Sequence, residues 1–383
     1  MVYNKLGRIS DKVSRFGMGC MRFPQTRDEQ GKEVIDEEEA TRMIRHAIDE
    51  GVNYFDTAYA YPGSEEVLGR ALKGGYREKV MIATKCPMYE IRDYSDYQRV
   101  FNESLRRLDT GYVDVYLFHC LDRQVWEKVK STNGLAFMEE MKKQGKIRAI
   151  GFSFHAEHEL FREIIDAYPW DICLMQLNIL DRDHQAGVRG LEYAGQKGIP
   201  VVIMEPLKGG LLGGEPPQEV INLLDSYHEK RSLVEWSFRW LYNRKEIKVV
   251  LSGVSSMDQL KDNIRIFSEA ETDVLSPSDE ELLIKVKDIY GRKVRVGCTG
   301  CGYCMPCPRN VNIPEIFKVY NDSALSPWTE FGRVFYDLVA VSNGRDASKC
   351  INCRLCEKRC PQGIPIASRL REAHNAMKSM EDQ

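Results

Sequence analysis

Eight short apolar runs, separated by stretches with helical spacing, constrain the fold of this chain more than any other feature. The runs are "FGMGCM", "NYFDT", "VMIATK", "DVYLFH", "IRAIGFS", "ICLMQL", "PVVIME" and "VVLSGV". Between them apolar residues recur at helical spacing, as in "DEEEATRMIRHAIDEG" from Asp36 and "FNESLRRLDTG" from Phe101, each with a charged start and a terminal glycine. Strands that alternate with helices pair in parallel, and eight such units in about 270 residues fit a closed (β/α)8 TIM barrel, an α/β fold with its helices outside. A doubly wound open sheet is disfavoured because no glycine-rich dinucleotide fingerprint follows any of the runs. At 383 residues the chain exceeds one core, so a barrel over 1–290 and a smaller unit over 291–383 are expected.

In a barrel of this type the chemistry belongs at the C-terminal ends of the strands. The second run ends in Asp56 with Tyr61 five residues later, the third in Lys85, the fourth in His119, the fifth in Ser153 and the sixth near Gln176. Singly, each has a plain alternative: His119 as a satisfied core histidine, Asp56 as the cap of a turn. Together, four ionisable types converge on one rim. The Lys85 ammonium is expected to favour the Tyr61 phenolate and lower its pKa from the usual value near 10. Asp56 would hold Lys85 charged, and His119 would orient a substrate oxygen. Such a set suits protonation of a carbonyl oxygen as hydride reaches its carbon.

With "FDTAYAY" around Asp56 and Tyr61, "ATK" ending in Lys85 and "YLFH" ending in His119, the chain resembles the aldo-keto reductase family over about residues 1 to 290. The likeness includes "EEVLGRALK" and "SGVSSMDQLKDNI". It implies a small-molecule substrate and NAD(H) or NADP(H) extended across the barrel mouth. By the same resemblance Gly19 and Met21 would line the cofactor side of the first strand end, Ser153 and Gln176 would face the carboxamide, and Gly253, Ser256, Gln259 and Asn263 would meet the adenosine half. Three positions depart from the family pattern. Phe154 replaces the usual asparagine after Ser153, Met204 replaces the tyrosine that stacks on the nicotinamide, and Ser256 stands where a cation often pairs with a 2′-phosphate. The last favours NAD(H) over NADP(H); the first two open the alternative of a mouth refitted for FMN.

Behind this region stand two cysteine runs. Cys298, Cys301, Cys304 and Cys307 precede Pro308; Cys350, Cys353, Cys356 and Cys360 precede Pro361. The second run matches the bacterial ferredoxin pattern C-x2-C-x2-C-x3-C-P, and the first differs by one residue in its last gap. Three closely spaced thiolates hold three corners of a cubane, and the proline-flanked fourth reaches the other cluster. On that rule Cys298, Cys301, Cys304 and Cys360 bind one 4Fe-4S cluster, and Cys350, Cys353, Cys356 and Cys307 the second. A pair of zinc sites is the competing reading. Helical patterns at "IPEIFKVYN" and "PWTEFGRVFYDLVAV" indicate an insert between the runs, in which Trp328, Phe331 and Tyr336 form one apolar face. A subset of aldo-keto reductases carries such an extension, and residues 291 to 383 resemble it. Cys86 and Cys120 follow Lys85 and His119 directly, and strand alternation is expected to turn both away from the lumen.

A nicotinamide moves two electrons as hydride, whereas a 4Fe-4S cluster passes one at a time. The leading expectation is an oxidoreductase acting on a carbonyl at the mouth while its clusters exchange electrons with a ferredoxin-like partner. The alternative is an electron-transfer or docking subunit whose barrel binds flavin or is catalytically silent. A net charge of -3 offers no sequence-wide attraction to nucleic acid or to an anionic membrane. The start "MVYNKLGRIS" lacks a signal-type apolar core, and no run approaches the roughly 18 apolar residues of a spanning helix. A cytoplasmic protein is therefore expected, and a homo-oligomer is compatible with the sequence.

Overall fold

The computed structural model describes residues 1–7, 9–325 and 329–378. Each apolar run forms a strand: β1 Phe16–Gly19, β2 Tyr54–Asp56, β3 Met81–Cys86, β4 Val113–Leu121, β5 Ile147–Phe154, β6 Ile172–Gln176, β7 Val201–Met204 and β8 Ile247–Gly253. They pair in parallel in chain order, and β8 returns to β1, closing the barrel. Layers of Tyr54, Met81, Val115, Leu117, Ala149, Leu174, Val202 and Val249 fill the interior, so it is packed and not a pore. A feature absent from the sequence expectation is the antiparallel hairpin of Tyr3–Leu6 and Ser10–Ser14, whose Leu6, Ile9 and Val13 join that same core.

Local chemistry explains where the helices begin and end. Helix Glu37–Asp49 starts at Asp36, whose side chain accepts from the Glu39 N–H at 3.0 Å, and three glutamates in its first turn suit the positive end of the helix dipole. Its Ala40, Met43, Ile44, Ala47 and Ile48 are buried, the stripe that 3.6-residue spacing requires. Helix Tyr94–Leu108 differs from expectation at its end. Asp109 itself takes the left-handed conformation (φ 49°), which Asp tolerates better than most residues, so Gly111 is not the stop.

The chain forms two compact units, Met1–Pro206 with Phe238–Leu275, and Leu207–Ser237 with the residues from Ser276 onward. The cut is not the one expected at 290/291. Helix Pro277–Lys293 belongs to the second unit because Lys293 pairs with Glu219 at 3.1 Å and Asp279 accepts from the Tyr227 hydroxyl at 2.8 Å, both partners lying between β7 and β8.

In the second unit, helices Ile313–Leu325 and Ile366–Met377 bury Ile316, Phe317, Ile366 and Leu370 in one core, with Cys298, Cys304, Cys307, Cys350, Cys356 and Cys360 packed against it. The insert is helical as expected, with a further helix at Thr329–Tyr336. Trp328 and the side chain of Phe331 lie outside the described residues. Tyr336 is fully buried, and its hydroxyl accepts from the Ala347 N–H at 3.0 Å and lies 2.9 Å from His374 Nδ1, fixing the approach to Cys350. Among the described residues no helix is long and apolar enough to cross a membrane.

Candidate active site

In-register parallel pairing brings the strand-end groups together. Asp56 lies opposite Ala83, and Lys85, two residues further along β3, lies opposite Leu117 of β4. Lys85 Nζ donates to Asp56 Oδ1 at 2.5 Å, to the Thr57 carbonyl at 2.8 Å and to the Tyr61 hydroxyl at 3.4 Å. The Tyr61 and His119 rings meet edge to face, 6.1 Å between centroids. Lys85 is 1% exposed, Asp56 4% and His119 7%, so their charges interact where water screens little.

The loop carrying Tyr61 is fixed from below. Glu65 is fully buried and accepts from the Thr84 hydroxyl at 2.7 Å. Arg107 donates to Glu65 at 3.3 Å and to the Tyr59 carbonyl at 3.1 Å, with its guanidinium 4.1 Å over the Tyr59 ring. The glutamate at the head of "EEVLGRALK" is thus an anchor for the loop.

Electrostatics correct one expectation. Burial pushes the Tyr61 pKa above its ordinary value, outweighing the downward pull of Lys85, so the group is a protonated phenol at neutral pH. Burial works against the Lys85 charge, but Asp56 and Tyr61 outweigh it and raise its pKa. His119 is held well below its ordinary value, first by burial and then by Lys85 and His155, and is a neutral imidazole. These directions predict a flat pH profile. The acid form of Tyr61 and the neutral form of His119 both persist, so kcat/KM for carbonyl reduction should hold steady from about pH 7 to about pH 9. A profile that falls steeply through pH 8 contradicts the assignment.

Cys86 is fully buried, in line with its expected outward position in the packing between strand and helices. Cys120 lies in a bulge of β4 between Phe118 and Leu121, where it takes φ 56° and the regular alternation of the strand is broken. The Cys120 N–H donates to Ser153 Oγ at 2.8 Å, so Ser153, 1% exposed, braces the bulge. Gln176 is likewise buried at the end of β6. Phe154 packs on Phe161, 5.0 Å between centroids, and Met204 ends β7.

Gly19 and Gly253 are register partners at the ends of β1 and β8, a ledge to which neither contributes a side chain of its own. Met21 is exposed just beyond it. The helix Met257–Ser268 starts from Ser256, whose hydroxyl accepts from the Gln259 N–H at 3.3 Å. Gln259 Oε1 accepts from the Ser255 N–H at 2.9 Å, and Asn263 donates to Ser252 Oγ at 3.1 Å. A glycine ledge leading to a helix N-terminus fits a dinucleotide phosphate.

Two residues escaped sequence reasoning. Arg22 runs its stem against Gly253, with its Cβ about 3.5 Å from where a side chain there would begin. His155, the residue after Phe154, bears on His119 and is itself pushed down to about 4, chiefly by burial. A cavity of about 520 Å³ lies at the other end of the strands, before β6 and β7, lined by Tyr168, Asp171, Lys197 and Pro200. That end of such a barrel serves stability and not chemistry.

In the second unit, burial pushes the Cys304 thiol up to about 12, with Cys301, Cys298 and Cys360 acting in the same sense. Cys356 is pushed up to about 11, burial first, and Cys350 is among its neighbours. The Cys298 turn is held on one side by Asn321, 5% exposed, which accepts from the Val296 N–H at 2.9 Å and donates to the Val296 carbonyl at 2.7 Å. On another side a Cβ added at Gly209 (φ 66°) would stand 2.1 Å from the Thr299 carbonyl oxygen. Among the described residues no group of three or more His, Cys, Asp or Glu is placed to grip a single metal ion. A cubane, held at its corners by well-separated sulfurs, does not require such a group.

A closed parallel barrel with aspartate, tyrosine, lysine and histidine meeting at its strand ends defines a reductase-type oxidoreductase. The chain belongs to the aldo/keto reductase family, whose model matches residues 15–277. Residues 297–365 match a 4Fe-4S dicluster domain. L-galactose dehydrogenase of Arabidopsis thaliana is 28% identical over 306 residues, covering 74% of this chain and 92% of that protein. The NADH-specific methylglyoxal reductase of Escherichia coli is 26% identical over 308 residues, covering 68% and 91%. Among solved structures, the holo form of an aldo-keto reductase from Bacillus halodurans is 27% identical, with TM-score 0.60 over 75% of this chain and 96% of its own.

Proposed function

We propose that this oxidoreductase reduces a small aldehyde or ketone at the barrel mouth with NADH, and that its C-terminal unit holds two 4Fe-4S clusters that exchange single electrons with a ferredoxin-like protein. The observation that carries the first part is Lys85 set between the Asp56 carboxylate and a protonated Tyr61. NADH supplies hydride when bound. Tyr61 gives its proton to the carbonyl oxygen, neutral His119 donates a hydrogen bond that holds that oxygen in place, and Lys85 steadies the phenolate left behind. Gly19, Met21, Gly253, Ser256, Gln259 and Asn263 would hold the dinucleotide, with Ser153, Gln176 and Met204 near its reactive end. Arg22 adds a cation suited to the pyrophosphate.

Because Ser256 offers a 2′-phosphate no cation, NADH should bind at least about tenfold more tightly than NADPH, the worth of one charge-assisted hydrogen bond. Equilibrium titration checks this, and tighter NADPH binding counts against it. The relative named as NADH-specific supports the same preference, and it makes 2-oxoaldehydes the first substrates to test. Phe154, turned onto Phe161, keeps FMN as a second reading. Anaerobic isolation followed by identification of the released organic cofactor separates the two.

The set Cys298, Cys301, Cys304 and Cys360 is supported by Cys360 acting on Cys304 from the other run; Cys350, Cys353, Cys356 and Cys307 complete the second set. Anaerobic protein should carry about eight irons. Gly209→Ala drives a methyl into the Thr299 backbone, so iron should fall to about four, from loss of the one cluster held by that turn. Gly213→Ala should keep all eight, because a Cβ there meets nothing nearer than the Leu207 side chain at 3.7 Å and the backbone is not in the left-handed region. Equal iron in both variants contradicts the placement of that cluster.

A further inference from the structure

We propose that the second cysteine run is the port at which a small acidic iron–sulfur protein docks to exchange electrons, an inference that rests on the two-cluster reading above. Of the eight clustered cysteines Cys353 alone is exposed; the other seven are half-buried. The cluster corner it holds is therefore the one that a partner can approach.

The surface around Cys353 has the anatomy of a small recognition patch. Ile351 is 59% exposed and Leu355 48%, two large apolar side chains flanking the cysteine. Arg354, Lys358 and Arg359 are exposed around them. The single acid of the segment, Glu357, is half-buried and turned inward, where its Oε1 accepts from the Ala367 N–H at 2.9 Å. Arg354 pairs with Glu357 at 4.0 Å, a long contact on the exposed side, and with Lys358 and Arg359 beside it three cations stand against one acid. The patch is thus basic on a chain whose net charge is -3.

An apolar centre with a charged rim is the composition of a transient interface, and a basic rim selects an acidic partner by steering its approach. The patch is small, as the interfaces of electron-transfer encounters are. In each encounter one electron leaves the reduced partner's cluster and enters the cluster of Cys350, Cys353, Cys356 and Cys307, or runs in reverse. No bond or proton moves, and two encounters deliver two electrons.

The test uses the full-length anaerobic protein and a reduced plant-type 2Fe-2S ferredoxin as the acidic probe, mixed by stopped flow. The Arg354→Glu/Lys358→Glu variant should lower the second-order rate constant of cluster reduction by at least about tenfold at low salt. The wild-type rate should fall as ionic strength rises, and the variant's should not. Iron content and reduction by dithionite should be unchanged in both. If the charge reversal costs iron, Arg354→Gln/Lys358→Gln serves instead, with a smaller loss in the same direction. Equal rates and equal salt dependence in wild type and variant overturn the port, as does wild-type protein that dithionite reduces and the ferredoxin does not. Wild-type protein without four-iron clusters fails on iron analysis before any ferredoxin is added, and removes the underlying reading together with the port.

Discussion

Tyr61→Phe should lower kcat and kcat/KM for carbonyl reduction together, by about 10²–10⁴-fold, the usual worth of a positioned general acid. The equal fall follows because the proton moves only in the transition state. The phenyl ring keeps its edge against His119, and Lys85 keeps its bonds to Asp56 and Thr57, so the site should remain built. Nucleotide affinity and iron content should not change. Steady-state kinetics beside a nucleotide titration read both effects, and a variant that keeps full turnover shows that another group gives the proton.

Lys85→Met should be the more damaging change, because it removes activity and leaves the Asp56 carboxylate 4% exposed without its cation. Breaking a buried pair on one side costs about 3–5 kcal/mol. The stranded Asp56 would relieve that cost by holding a proton, which raises its pKa in the folded state above the unfolded value. The folded protein then binds more protons than the unfolded one, so the variant's stability should rise as pH falls from 7 toward 5. Asp56→Asn added to Lys85→Met should recover part of the loss and remove that pH dependence. Denaturant melts of the wild type, the two single variants and the double variant decide the matter, and additive losses would mean that the two side chains do not act as a pair.

The barrel was legible because eight buried strands leave eight apolar runs, and Asp56, Lys85 and His119 were legible because an ionisable group at the end of such a run has few structural reasons to be there. Three features were not. Cys120 was expected to face outward by strand alternation, which holds only in a regular ladder, and it sits instead in the bulge of β4 with φ 56°. The direction of the Tyr61 shift was misjudged because a neighbouring charge can be guessed from a motif, whereas the depth of burial that outweighs it is a property of the folded loop. Residues 207–237 fall within the barrel expected over 1–290, and their membership of the C-terminal unit rests on distant pairs such as Tyr227 with Asp279 and Gly209 with Thr299. The cysteine runs were the reverse case, since spacing alone carries their chemistry.

We propose that this barrel performs hydride reduction with Tyr61 as proton donor, beside and not in place of iron–sulfur chemistry in the C-terminal unit. Anaerobic full-length protein incubated with 4-deuterated NADH and a panel of small aldehydes tests it through the product. Deuterium on the former carbonyl carbon of the alcohol, appearing about 10²–10⁴-fold more slowly with Tyr61→Phe, is the predicted result. No labelled alcohol from any aldehyde, in protein whose clusters still accept electrons from reduced ferredoxin, would contradict it and make the chain an electron-transfer subunit.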